Sequence, residues 1–145
     1  MENLEESLIS LFKESRYSDI ISKAVEQGIT PQSAPLAARI LAASYFQIGD
    51  FAQAYSLLSQ LEAALGKDPD FLSLFAATAR RHGELQKAQE LFESALQIEP
   101  DSPIIRNNYA NLLIDFHKFD DALSILDSIL EQNPSYQDAI FNRNR

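Results

Sequence analysis

One spacing constrains this chain more than any other: the same short pattern returns every 34 residues. Gly49, Gly83 and His117 share a frame position, and Ala54, Ala88 and Ala122 follow each of them five residues later. Phe51, Leu85 and Phe119 fall between those two positions, with Tyr17 a period earlier, and Pro100 and Pro134 close two of the units at one offset. A fixed period of this length, with a small residue in mid-unit and a proline at the end, is the mark of stacked helix–turn–helix units. Such a unit cannot bury its apolar face alone, so it must pile on its neighbours.

Local signals agree with helices throughout. Leu4, Leu8, Leu11 and Phe12 repeat at helical spacing, which predicts an amphipathic helix over residues 2–14. Tyr17, Ile20, Ile21 and Ala24 carry a second helix that ends at Gly28. Ser33 reads as the cap of a third, with Pro35 in its first turn and Gln47 at its end. Further helices are expected from Phe51 to Leu65, from Asp68 and Pro69 to about His82, and from Leu85 to Ile98. The last three are expected from Asp101 or Ser102 to Phe116, from Phe119 to Glu131, and onward from Pro134 and Ser135. That makes eight helices and the start of a ninth, and no segment alternates with a period of two as a strand would.

Composition narrows the partners. With 12 Lys and Arg against 21 Asp and Glu, the formal charge is −9. A phosphate backbone or an anionic bilayer would be repelled, so neither nucleic acid nor membrane is expected as a ligand. The acidic, amphipathic start MENLEESLIS is unlike a secretory signal, and no apolar run has the length of a membrane span. A cytoplasmic location is the expectation. The chain has no cysteine, which removes disulfides, thiolate zinc sites and cysteine nucleophiles.

The unit from Leu72 to Pro100 resembles the tetratricopeptide repeat. Its marker positions read Leu72, Phe75, Ala76, Ala79, Gly83, Leu85, Ala88, Phe92, Ala95 and Pro100. The next unit gives Arg106, Tyr109, Ala110, Leu113, His117, Phe119, Ala122, Leu126, Ile129 and Pro134. The one before gives Ala38, Leu41, Ala42, Tyr45, Gly49, Phe51, Ala54, Leu58 and Leu61, and a degenerate first unit runs from Leu4 to Ala24. The alanines at 54, 88 and 122 would sit where paired helices cross, and Phe51 and Phe119 would wedge against a neighbouring helix.

The resemblance implies an all-α, right-handed superhelix of antiparallel helix pairs. Residues 1–145 would form one array, with units 1–34, 35–68, 69–102 and 103–136 and the start of a fifth at 137–145. It also implies a protein–protein interaction module that grips a peptide or helix of a partner on the concave face lined by the first helix of each pair. On that face the family pattern places Arg39, Phe46, Leu74, Arg80, Arg81, Asn107, Asn108, Asn111, Phe141, Asn142 and Arg145. Asparagine amides donate and accept together, which suits a peptide main chain, and Arg39, Arg80 and Arg81 suit carboxylates, either a partner's or those of the chain's own surplus of Asp and Glu. The apolar members of the face, Ile40, Phe46, Leu74, Ile104 and Ile114, are expected to pack between neighbouring first helices rather than to receive a partner's side chains.

Some members of the family hold a chaperone's C-terminal tail with a clamp of lysines, asparagines and an arginine. From the second unit those positions are Arg39, Ala43, Leu74, Ile104 and Asn108, so this clamp is not expected, nor in the other registers. Catalysis has little footing. His82 and His117 fall at turns, and Asp115, Asp120 and Asp121 near His117 match no metal spacing. No cofactor, metal or enzymatic activity is expected of the chain. Two alternatives stand beside a binding module: an N-terminal scaffolding, targeting or oligomerisation segment of a longer protein with a catalytic domain downstream, such as a glycosyl- or sulfotransferase, and self-association through the last helix, whose Ile140 and Phe141 need cover.

Overall fold

The computed structural model describes residues 3–144. Among them are α1 (Leu4–Lys13), α2 (Tyr17–Glu26), α3 (Pro35–Gln47), α4 (Phe51–Leu65), α5 (Pro69–Arg81), α6 (Leu85–Ile98), α7 (Pro103–Asp115), α8 (Phe119–Gln132) and α9 (Gln137–Arg143). The described residues contain no strand. Glu2 and Arg145, assigned to the first helix and to the binding face from sequence, lie outside the described residues.

The chain forms two compact units, Met1–Gly66 and Lys67–Arg145. In the first, α1, α2 and α3 pack on one another and α3 pairs with α4. Leu8, Ile20, Ala24, Ala37 and Leu41 are its buried centre, flanked by Phe12, Tyr17, Tyr45 and Leu57. In the second, α5 pairs with α6 and α7 with α8; α7 also packs on α5 and α6, and α9 on α7 and α8. Ala110, Leu113, Ala122, Leu126, Ile129 and Ala139 form one buried cluster there.

The period is sharpest in the turns. The first helices of the four pairs end at Lys13, Gln47, Arg81 and Asp115, and the second helices begin at Tyr17, Phe51, Leu85 and Phe119. Each turn passes through one residue with a left-handed backbone: Ser15 at φ +59°, Gly49 at +87°, Gly83 at +90° and His117 at +60°. That conformation aims two amides back at orphaned carbonyls of the helix end. Thus Gly83 N–H donates to the Arg80 carbonyl and Glu84 N–H to that of Ala79, at 3.2 and 2.8 Å. Around His117 the same two bonds reach Ile114 and Leu113, at 3.0 and 2.8 Å. The degenerate first unit, with serine at this place, keeps the register in full.

Ala54, Ala88 and Ala122 are all buried, each in the second helix of its pair. Three expectations need correction. Ser33 does not cap α3: it exchanges hydrogen bonds with Thr30, and Ala34 stands at the cap position without a side-chain bond. Asn3 belongs outside α1, where its side chain accepts from Glu6 N–H at 2.7 Å. The last helix starts at Gln137, after the turn that Pro134 and Ser135 occupy. The caps expected at Asp68 and Ser102 are present, accepting from Asp70 N–H and Ile105 N–H at 2.9 and 3.3 Å.

Candidate peptide-binding face

The second unit carries most of the residues that the family pattern aims inward, on α5, α7 and α9. Its polar members divide into two kinds. Asn107 and Asn142 are buried, at 4% and 6% exposure, and the Asn142 Nδ2 donates to the Asn107 Oδ1 at 2.9 Å. A buried amide costs free energy unless it is bonded, so each of the two makes the other tolerable. Their effect is to fasten α9 to α7. Arg80 is also engaged: its Nε and Nη2 both donate to the carboxylate of Asp115, the second at 3.1 Å. This two-pronged pair, half-buried on both sides, joins α5 to α7. Both pairs span 35 residues, one period plus one.

The remaining residues face outward to different degrees. Asn108 and Asn111 on α7 are half-buried, Leu74 on α5 likewise, and Arg81 at the end of α5 is exposed. Phe141 on α9 is 67% exposed. Ile104, at the start of α7, is also exposed instead of being covered by packing between first helices. In the first unit, Arg39 and Phe46 lie half-buried on α3, and the Phe46 ring meets Phe51 edge-on at 5.4 Å.

Phe119 departs from its expected role as a wedge. It is 52% exposed, stands nearly perpendicular to the His117 ring at 5.4 Å, and lines an open slot together with Ala122 and Leu123 of α8 and Asn142 and Arg143 of α9. On α7, burial pushes the Tyr109 phenol above its ordinary value of 10.0, and the carboxylates of Glu93 and Asp121 add to the shift. No group of three or more His, Cys, Asp or Glu among the described residues could hold a metal ion. No helix among them is long and apolar enough to cross a membrane.

Pairing of Arg80 with a carboxylate of the chain itself was among the readings open from sequence, but its partner Asp115 was not singled out, and the pairing of Asn107 with Asn142 was missed. The signal was present: complementary polar residues spaced one period plus one, on consecutive first helices.

Two family models match the chain. A tetratricopeptide repeat model covers residues 79–140, and a model of YpiA-like C-terminal tetratricopeptide repeats covers residues 35–102. Solved structures share the fold. MamA from Desulfovibrio magneticus RS-1, from residue 41 to its end, superposes with a TM-score of 0.77 at 16% identity, covering 92% of this chain and 76% of that one. The thermophilic protein TTC0263 of Thermus thermophilus gives a TM-score of 0.77 at 20% identity, covering 97% of this chain and 78% of that one. A search of curated protein sequences found no match. With the in-phase units and their shared turns, these matches place the chain in the tetratricopeptide repeat family. Its fold is the family's all-α arrangement of helix pairs, and membership of this repeat family supports a protein–protein interaction module.

Proposed function

We propose that the chain binds a segment of a partner protein along the first-helix face of its second unit, without catalysis. Asn108 and Asn111 hold the segment's main chain. One observation carries this reading. The two amides lie three residues apart on α7, on neighbouring turns of one face, and stay half-exposed while Asn107 beside them is buried in its bond to Asn142. Asn107 and Asn142 then act as positioning residues that hold α9 against α7. Leu74 and Phe141 offer apolar surface to the partner's side chains, and Arg81 a charge for an acidic one. Arg80 reaches the ligand only through Asp115. In the first unit, Arg39 and Phe46 serve the same kind of contact. A net charge of −9 favours a partner that is neutral or basic overall.

The test is affinity capture from source lysate with the Asn108→Ala/Asn111→Ala double variant as control. Each hydrogen bond is worth about 0.5–1.5 kcal/mol, so the double variant should lose roughly tenfold or more in affinity. Helicity should be unchanged. A partner retained equally by both proteins would remove the two amides from the site.

A further inference from the structure

In the second unit the period sets two aromatic rings at one frame position and surrounds them differently. Phe75 of α5 and Tyr109 of α7 are 34 residues apart, and so are Lys87 of α6 and Asp121 of α8. In the earlier copy the Lys87 Nζ stands over the Phe75 ring, 5.5 Å from its centroid, and the ring is buried. A cation in that place is attracted by the negative face of the ring. In the later copy a carboxylate takes the lysine's position, and Tyr109 is only half-buried. An open cavity of about 330 Å³ lies beside it, lined by Tyr109 and Leu113 of α7, by Lys118 before α8, and by Asp121, Ser124 and Ile125 of α8. Tyr109 and Leu113 are four residues apart and so share one face of α7, nearly opposite Asn108 and Asn111 round the helix. The cavity is therefore separate from the amide face.

We propose that this cavity receives a lysine side chain of a partner protein, its ammonium against the Tyr109 ring and beside Asp121 and Glu93, its stem along Leu113 and Ile125. The chain itself supplies the template, since Lys87 makes the same kind of contact one period earlier. Leu113 and Ile125 give the apolar wall that a lysine stem prefers, and the Ser124 hydroxyl can accept from the ammonium. Charge agrees. Asp121 and Glu93 are both exposed. Burial first, and then these two carboxylates, hold the Tyr109 phenol above its ordinary value, which puts both acids near the ring. Lys118 is the one cation among the lining residues, and its Nζ lies 5.8 Å from the Phe116 ring centroid, against a different aromatic. A chain of net charge −9 attracts a basic partner and disfavours a second copy of itself.

The probe is a capped tripeptide with lysine between two alanines, titrated into the full chain and followed by NMR amide shifts. Saturable shifts are expected around Tyr109, Asp121 and Ser124, and none from the same peptide with its lysine Nε-acetylated. Asp121→Lys restores the arrangement of the earlier copy, so the chain's own lysine should fill the cavity and abolish binding. Asp120→Lys makes the same change of charge one residue away and should keep affinity within about threefold, since charge alone acts there through screened solvent. Both aspartates are exposed, and circular dichroism checks that the fold survives. Tyr109→Leu should weaken binding about threefold or more, and Tyr109→Phe, which keeps the ring, should retain it. Asn108→Ala/Asn111→Ala should leave it unchanged, which separates this site from the amide face. The inference would be overturned by equal shifts from the acetylated peptide, by unchanged binding in Asp121→Lys, or by equal loss in Asp120→Lys and Asp121→Lys. Butylammonium, which lacks a main chain, should bind more weakly than the peptide; equal or tighter binding would reassign the cavity to a free amine and overturn the partner.

Discussion

The left-handed residue in every turn allows a test with two opposite signs. Gly83 sits at φ +90°, and a Cβ built there would meet no atom within 4 Å. Substitution by alanine therefore carries no clash, and its cost is conformational. The left-handed region costs an L-residue about 1–2 kcal/mol. Alanine recovers about 0.4–1 kcal/mol of that, because its unfolded chain has fewer states to lose than glycine's. Gly83→Ala should then destabilise by about 1 kcal/mol, lowering the melting temperature by roughly 3 °C in a chain of this size. Ser15 already bears the left-handed cost, at φ +59°. Its hydroxyl has only a long, exposed contact with the Tyr17 phenol, at 3.4 Å. Ser15→Gly should therefore stabilise, by up to about 1 kcal/mol on the same arithmetic. The assay is urea titration followed by far-UV circular dichroism, comparing midpoints at constant slope. A neutral Gly83→Ala, or a Ser15→Gly that destabilises, would refute the idea that backbone conformation sets the residue choice in these turns.

Other outcomes follow from the packing. Ala122→Leu forces added volume into the buried crossing of α7 and α8 and should cost about 1–3 kcal/mol, read from the same titration. Asn107→Leu and Asn142→Leu each break the buried bond between the two amides and should cost about 1–3 kcal/mol, while the double change Asn107→Leu/Asn142→Leu should cost clearly less than the two single changes together; additive values would dissolve the pair. The raised Tyr109 phenol makes the folded state hold its proton after the unfolded chain has released one near pH 10.0. Stability from this source is full below that pH and declines as pH rises through the folded value, so Tyr109→Phe should flatten the alkaline limb of a stability profile.

The fold was legible because its punctuation is chemical. Proline in the first turn marks the starts of α3, α5 and α7, and the left-handed turn residues mark the ends of the first helices. Where punctuation was ambiguous, the reading slipped: Ser33 satisfies a local turn with Thr30 instead of a helix end, and Pro134 and Ser135 precede α9 instead of opening it. The candidate face was legible only as a set of positions. Neighbouring asparagines at 107 and 108 look alike in sequence, and their difference arises from contact between helices one period apart, which buries the first against Asn142 and leaves the second half-exposed. Phe119 failed as a wedge for a similar reason. A side chain that fits a repeat consensus is buried only where a neighbouring helix lies over it.

The polar pairs bear on how such a chain can grow by tandem duplication. Copy residues 103–136 and insert the copy directly after the original. If the helices stack as before, the original Asn107 meets the copied Asn108, and the copied Asn107 meets Asn142, so an amide bond survives at both junctions. The carboxylate fares differently. The copied Asp115 arrives opposite Ile114, not opposite an arginine, and a desolvated anion is left without a counterion. Lengthening by this block is thus permitted by the main chain and by the asparagines, yet penalised by one acid. A lysine or arginine introduced at position 114 would lift that penalty, making it the compensating change to expect in any lineage descended from such an event.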